Sequence, residues 1–138
     1  MRTDQQWIDL LSTMALDLPR DIRGSKFLLT SAVVQKGQAL SFGFNQRKSH
    51  PLQARFGKND ESIFLHSEID AMRNAIARHG KQALRNSVLY VARMKYDLKN
   101  KMWIHGLACP CEGCWRAVKE FGIKRVVYTT NDRALCAV

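Results

Sequence analysis

Apolar positions in the first eighteen residues recur at helical intervals, with Trp7, Leu10, Leu11, Met14 and Leu18 on one stripe. Thr3 and Gln6 stand at capping-box spacing ahead of them, and Pro19 follows as a stop. The period then changes. Phe27–Gln35 is dense in Leu, Val and Thr, Lys36-Gly37 interrupts it, and residues 39–44 are apolar again, which predicts a β-hairpin turning on the glycine. Residues 45–63 are polar and basic with a turn at Gly57-Lys58-Asn59-Asp60, and predict a long loop of the kind that carries function. Leu65, Ile69, Met72 and Ile76 then mark a second helix, with Gly80 just past its end. A strand over 87–94 contains the continuous apolar run Val88-Leu89-Tyr90-Val91, as expected where both faces are covered. A polar turn over 96–101 includes Asp97 and Asn100, and a returning strand is predicted over 102–107. Pro110 opens a third helix carrying Cys114, Ala117, Val118 and Phe121, stopped by Gly122. Arg125–Thr129 is the last predicted strand. This order predicts a three-layer α/β/α sandwich around a mixed sheet, and the 138 residues make one domain, 1–138.

Charge changes the picture only in part. Twenty-two Lys and Arg against twelve Asp and Glu give a formal +10. That balance suits anionic partners such as nucleotides or single strands, or equally a solvated basic surface, because the charges form no dense run. No apolar run approaches a membrane span and the N-terminus carries no signal-peptide core, so a soluble, cytoplasmic protein without a membrane partner is the expectation. Of the cysteines Cys109, Cys111, Cys114 and Cys136, three fall within six residues. Such spacing is poor for a disulfide framework and good for a metal site.

Two short motifs carry the chemistry. His66-Ser67-Glu68 opens the second predicted helix, and Pro110-Cys111-Glu112-Gly113-Cys114 opens the third. One imidazole and two thiolates are good zinc ligands, and three protein ligands leave the fourth tetrahedral position open, as catalytic sites do. Cysteines in the first turn of a helix have a lowered pKa, since free N–H groups and the helix dipole favour the thiolate. Zinc brings water toward a pKa of about 7. Glu68, two residues from His66, is placed to move protons beside the metal rather than to bind it. A structural zinc site would want a fourth ligand, with Cys109 the nearest candidate, and would have no use for Glu68.

His-x-Glu followed by Pro-Cys-x-x-Cys resembles the signature of the cytidine and deoxycytidylate deaminase superfamily, with the likeness running from about Phe27 to Thr130 and strongest toward the deoxycytidylate deaminases. The resemblance implies His66, Cys111 and Cys114 as zinc ligands and Glu68 as proton shuttle. It implies Asn45 of Gly43-Phe44-Asn45 as a sugar contact, with Ser67 and Cys109 at substrate-facing positions. Arg47 and Lys48, which follow Asn45, are candidates for a 5′-phosphate. Three features depart from the family pattern: Ser67 where Ala is usual, Cys109 where Ser, Thr or Glu is usual, and a longer stretch over 94–107. A C-terminal strand and helix common among relatives are expected to be missing. The expected reaction is zinc-dependent hydrolytic deamination of a free nucleotide, dCMP to dUMP, by a homo-oligomer. The alternatives are a deaminase of cytosine or adenine in single-stranded DNA or RNA, for which Trp103 and Tyr96 would serve as stacking platforms, and a catalytically silent zinc module.

Overall fold

The computed structural model describes residues 1–18, 27–46, 50–56, 65–132 and 134–138. Helix α1 (Asp4–Leu16) begins at the predicted capping box: Thr3 Oγ1 accepts from Gln6 N–H at 3.2 Å, and Gln6 Oε1 accepts from Thr3 N–H at 2.9 Å. The hairpin follows as β1 (Phe27–Gln35) and β2 (Gln38–Phe44). Its turn holds Lys36 and Gly37 at φ 51° and 77°, the two left-handed residues that a right-twisting two-residue turn demands. The short α2 (Pro51–Phe56) precedes α3 (Ser67–His79), which opens on the first motif. Strand β3 (Val88–Asp97), β4 (Met102–Gly106), α4 (Glu112–Phe121), β5 (Arg125–Thr129) and β6 (Leu135–Ala137) complete the order.

The strands form one mixed sheet in the order β2-β1-β3-β5-β6. β1 lies antiparallel to both β2 and β3, while β3 and β5 run parallel, as the crossover through α4 requires. One edge of β3 is divided: Val88–Val91 pair with β5, and Arg93–Asp97 pair with β4. Apolar side chains leave the sheet on both faces. Leu89 and Val91 pack with Ile69, Met72, Val118 and Phe121 beneath α3 and α4. Tyr90, Ala32 and Val127 pack with Trp7, Ile8 and Leu11 of α1 on the other side. The predicted three-layer α/β/α sandwich is therefore the fold.

Four expectations are corrected. The loop expected over 45–63 contains α2, started by Pro51 and a cap in which His50 Nδ1 accepts from Leu52 N–H at 3.1 Å. Helix α4 starts at Glu112 with Cys111 as its N-cap, so Pro110 precedes the helix instead of opening it. Strand β3 runs on to Asp97, into the predicted turn, because β4 supplies it with a partner. A strand follows β5 where none was expected, β6, antiparallel to β5, and β4 extends the edge of β3. Pro19 and the Gly57-Lys58-Asn59-Asp60 turn lie outside the described residues. No described helix is long and apolar enough to cross a membrane.

The N-terminus of α1 is tied to the sheet. Arg125 donates to both Asp4 carboxylate oxygens at 2.8 Å, and Tyr90 Oη donates to Asp4 Oδ1 at 2.5 Å. The Arg125 guanidinium holds the Asp4 carboxyl below its ordinary value of 3.8. A depressed carboxyl stabilises the fold above that ordinary value, and the contribution is lost as pH falls through the lowered one. Solvent screens this half-exposed pair, so its share is at most about 1 kcal/mol. Asp4→Asn is accordingly expected to lower the urea midpoint at pH 7. Denaturation curves recorded at successively lower pH should converge with those of the unsubstituted protein as Asp4 protonates; a gap that persists in acid would remove the ion pair as its cause.

Candidate active site

Both chemistry-bearing motifs sit at helix starts on the α3/α4 side of the sheet. His66 is the N-cap of α3, and its carbonyl accepts the first helical bond from Asp70 N–H at 2.9 Å. Its own N–H donates to Gln53 Oε1 at 3.0 Å. Gln53 is fully buried on α2, so the unpredicted helix anchors the backbone of His66. Cys111 is the N-cap of α4, with its carbonyl accepting from Trp115 N–H at 3.0 Å, and Cys114 lies inside the first turn, wholly buried. Helix α2 also touches α4: Phe56 meets Phe121 edge to face at 5.9 Å, and Arg116 donates to the Phe56 carbonyl. The two helix starts are thereby fixed against each other.

The three predicted metal ligands converge. Cys111 Sγ and Cys114 Sγ each lie 3.5 Å from His66 Nδ1, and the two sulfurs lie 3.6 Å apart. Tetrahedral zinc with Zn–S of about 2.3 Å and Zn–N of about 2.1 Å needs ligand–ligand edges of about 3.6–3.8 Å. The triangle has that size. The expected lowering of both thiols is met at Cys111 and reversed at Cys114. The neighbouring Cys114 and then His66 hold the Cys111 thiol down at about 3, against burial. Cys114 is pushed up by Cys111, by burial and by Glu68, so its ionisation needs a cation in the triangle. His66 is raised, first by its bond with Cys111 and then by the charges of Glu68 and Cys111.

Glu68 is 5% exposed and lies against this cluster. Its Oε1 accepts from Ser67 Oγ at 2.8 Å. Ser67 is fully buried, and its hydroxyl also meets Ser31 Oγ of β1 at 2.7 Å. The hydroxyl of Ser67, expected at a substrate-facing position, thus faces Glu68 and the sheet. Asn45 leaves the end of β2 half-buried: its Oδ1 accepts from Leu29 N–H at 3.1 Å, and among the described residues nothing accepts from its Nδ2. Asp70 organises that segment, accepting from Phe44 N–H at 3.1 Å, Gln46 Nε2 at 2.9 Å and Arg73 Nε at 2.7 Å. Arg47 and Lys48 lie outside the described residues. Cys109 is exposed, where a small buried residue would be the ordinary expectation, and with Cys136 it raises the pKa of the intervening Tyr128 hydroxyl. Trp103 packs against the end of α1, which leaves Tyr96, 5.5 Å away, as the exposed ring of the hairpin. Sequence reasoning missed Gln53, Asp70 and Ser31. A polar residue inside an apolar run, as Ser31 is in β1, was the one available signal.

A family model described as the cytidine and deoxycytidylate deaminase zinc-binding region matches residues 1–130. Among solved structures, the chain is similar to the apo-form crystal structure of dCMP deaminase from the cyanophage S-TIM5, with a TM-score of 0.58 and 18% identity over 93% of this chain and 84% of that one. At that identity the likeness is one of fold. A search of curated protein sequences finds no match.

Proposed function

The chain belongs to the cytidine and deoxycytidylate deaminase family, a membership that makes it a zinc-dependent hydrolytic deaminase, and from that premise we propose that it converts dCMP to dUMP. The observation that carries the reading is the zinc-sized triangle of His66, Cys111 and Cys114 with a buried carboxylate against it. In this reading those three residues hold the ion and leave one position open. Zinc bound there supplies a water molecule acid enough to be deprotonated near neutral pH. Glu68 takes a proton from the attacking water and delivers it to the ring nitrogen N3. It then carries the second water proton to the departing amine, so that cytosine and water become uracil and ammonia.

Substrate contacts in this reading come from Asn45, whose Nδ2 donates to the sugar, and from the Ser67 backbone and Cys109 beside the ligands. Arg47 and Lys48 meet the 5′-phosphate. We place the enzyme in the cytoplasm as a single-domain homo-oligomer; the exposed Leu98, Met102 and Leu107 around the β3–β4 hairpin supply apolar area for self-association. A second reading, deamination of cytosine or adenine in single-stranded nucleic acid, draws on Tyr96, which is 43% exposed beside Lys95 with Lys99 and Lys101 nearby.

The test is direct. Purified protein, with zinc quantified, is given dCMP, deoxycytidine, CMP and a cytosine-containing single-stranded oligonucleotide. About one zinc per chain and a preference for dCMP of at least about tenfold in kcat/KM are expected. Turnover confined to the oligonucleotide, with binding that weakens steeply in salt, would replace this reading with the second.

A further inference from the structure

We propose that Ser67 and Ser31 are positioning residues for Glu68, forming a buried hydroxyl relay that runs from the central sheet to the carboxylate. The proposal rests on the reading of Glu68 as proton shuttle. Ser67 Oγ donates to Glu68 Oε1 at 2.8 Å, and that commits its single proton. The 2.7 Å contact between Ser31 and Ser67 must then be a donation from Ser31. The relay has one direction, Ser31 to Ser67 to Glu68, and both serines are fully buried, so water does not compete for any link.

The fold brings the hydroxyls together. Ser31 sits mid-strand in β1, paired to Gly43 of β2 on one side and to Val91 of β3 on the other. The first turn of α3 presses onto the sheet at Gly43, where an added Cβ would fall 2.5 Å from Ser67 O and 2.8 Å from Ala71 Cα. No larger residue at 43 would let the helix come close enough for Ser67 to reach Ser31. A glutamate side chain has several rotatable bonds, and catalysis needs its carboxylate in one orientation. The relay binds one carboxylate oxygen and leaves the other for proton transfer.

Alanine substitutions separate positioning from mere packing. Ser67→Ala is expected to lower kcat for dCMP about tenfold with KM within about twofold, and to leave Ser31 with an unpaired buried hydroxyl that lowers Tm. Ser31→Ala should have a smaller effect on kcat. In Ser31→Ala/Ser67→Ala both partners are gone, so Tm should recover toward that of the unsubstituted protein while kcat stays as low as in Ser67→Ala. A second readout does not depend on turnover. The Glu68 carboxylate carbon resonance, assigned by its loss in Glu68→Gln, should move in Ser67→Ala and should not move further when Ser31→Ala is added. A resonance unchanged in Ser67→Ala overturns the proposal, as does a kcat that recovers along with Tm in the double variant. If the unsubstituted protein leaves dCMP untouched, the substrate reading fails, and the carboxylate resonance still decides the relay.

Discussion

Glu68→Ala is expected to retain about one zinc per chain and to lose about 10²–10⁴-fold in kcat, the range that general acid–base catalysis supplies. The two halves of that expectation have separate causes. Retention follows from the triangle, in which one nitrogen and two sulfurs at 3.5–3.6 Å spacing satisfy three zinc positions without a carboxylate. Loss of turnover follows because Glu68 is the buried carboxylate against the cluster. Asp70, the next carboxylate on α3, is fully engaged by Phe44, Gln46 and Arg73. Glu68→Gln is the sharper variant, since it keeps the shape and the acceptor for Ser67 while removing the ability to carry a proton. Metal analysis beside steady-state kinetics decides the matter. Loss of zinc in either variant would make Glu68 a ligand, and kcat within threefold of the unsubstituted value would remove it from the chemistry.

What the sequence made legible about this site is what is local along the chain. The capping box at Thr3 and Gln6, the Lys36-Gly37 turn and the two ligand motifs each span six residues or fewer; the first two folded as read, and the motifs meet at helix starts with Pro110 left outside the second helix. Fixed spacing is informative because the backbone converts it directly into geometry: Cys111 and Cys114 share the first turn of α4 whatever surrounds them. Ser31 and Ser67 are 36 positions apart, and nothing in either neighbourhood announces the other. The same holds for Gln53, whose hydrogen bond to His66 exists only because α2 docks beside α4. Helix α2 itself was hidden for a different reason. Six residues with Leu52 and Phe56 as the apolar pair give too little periodicity to stand out from a polar stretch, and its stability comes from packing on Phe121 rather than from propensity. Three-residue β6 is shorter than any window in which alternation can be counted.

Gly43→Ala is expected to cost about 3 kcal/mol, to lower Tm by about 10 °C and to reduce kcat at least tenfold. The demand for glycine here is spatial. Gly43 has no positive φ, and the added methyl would instead collide with backbone, Ala71 N and Cα and Ser67 O, none of which can rotate away. Relief therefore requires α3 to lift from the sheet. That helix carries His66 and Glu68, whereas Cys111 and Cys114 ride on α4, so a lift opens the triangle and separates Ser67 from Ser31 together. Zinc should be lost to a competing chelator sooner than from the unsubstituted protein. Gly80→Ala is the contrasting control: Gly80 sits at φ 84° at the end of α3 with nothing within 4 Å of its added Cβ. Its cost is conformational, about 1–3 kcal/mol, and lies a full helix length from the ligands, so zinc retention and kcat should stay unchanged. Thermal denaturation, chelator competition and kinetics on the two variants side by side discriminate. If Gly43→Ala keeps its zinc and its turnover while losing stability, the sheet-to-helix contact holds the fold but does not set the site.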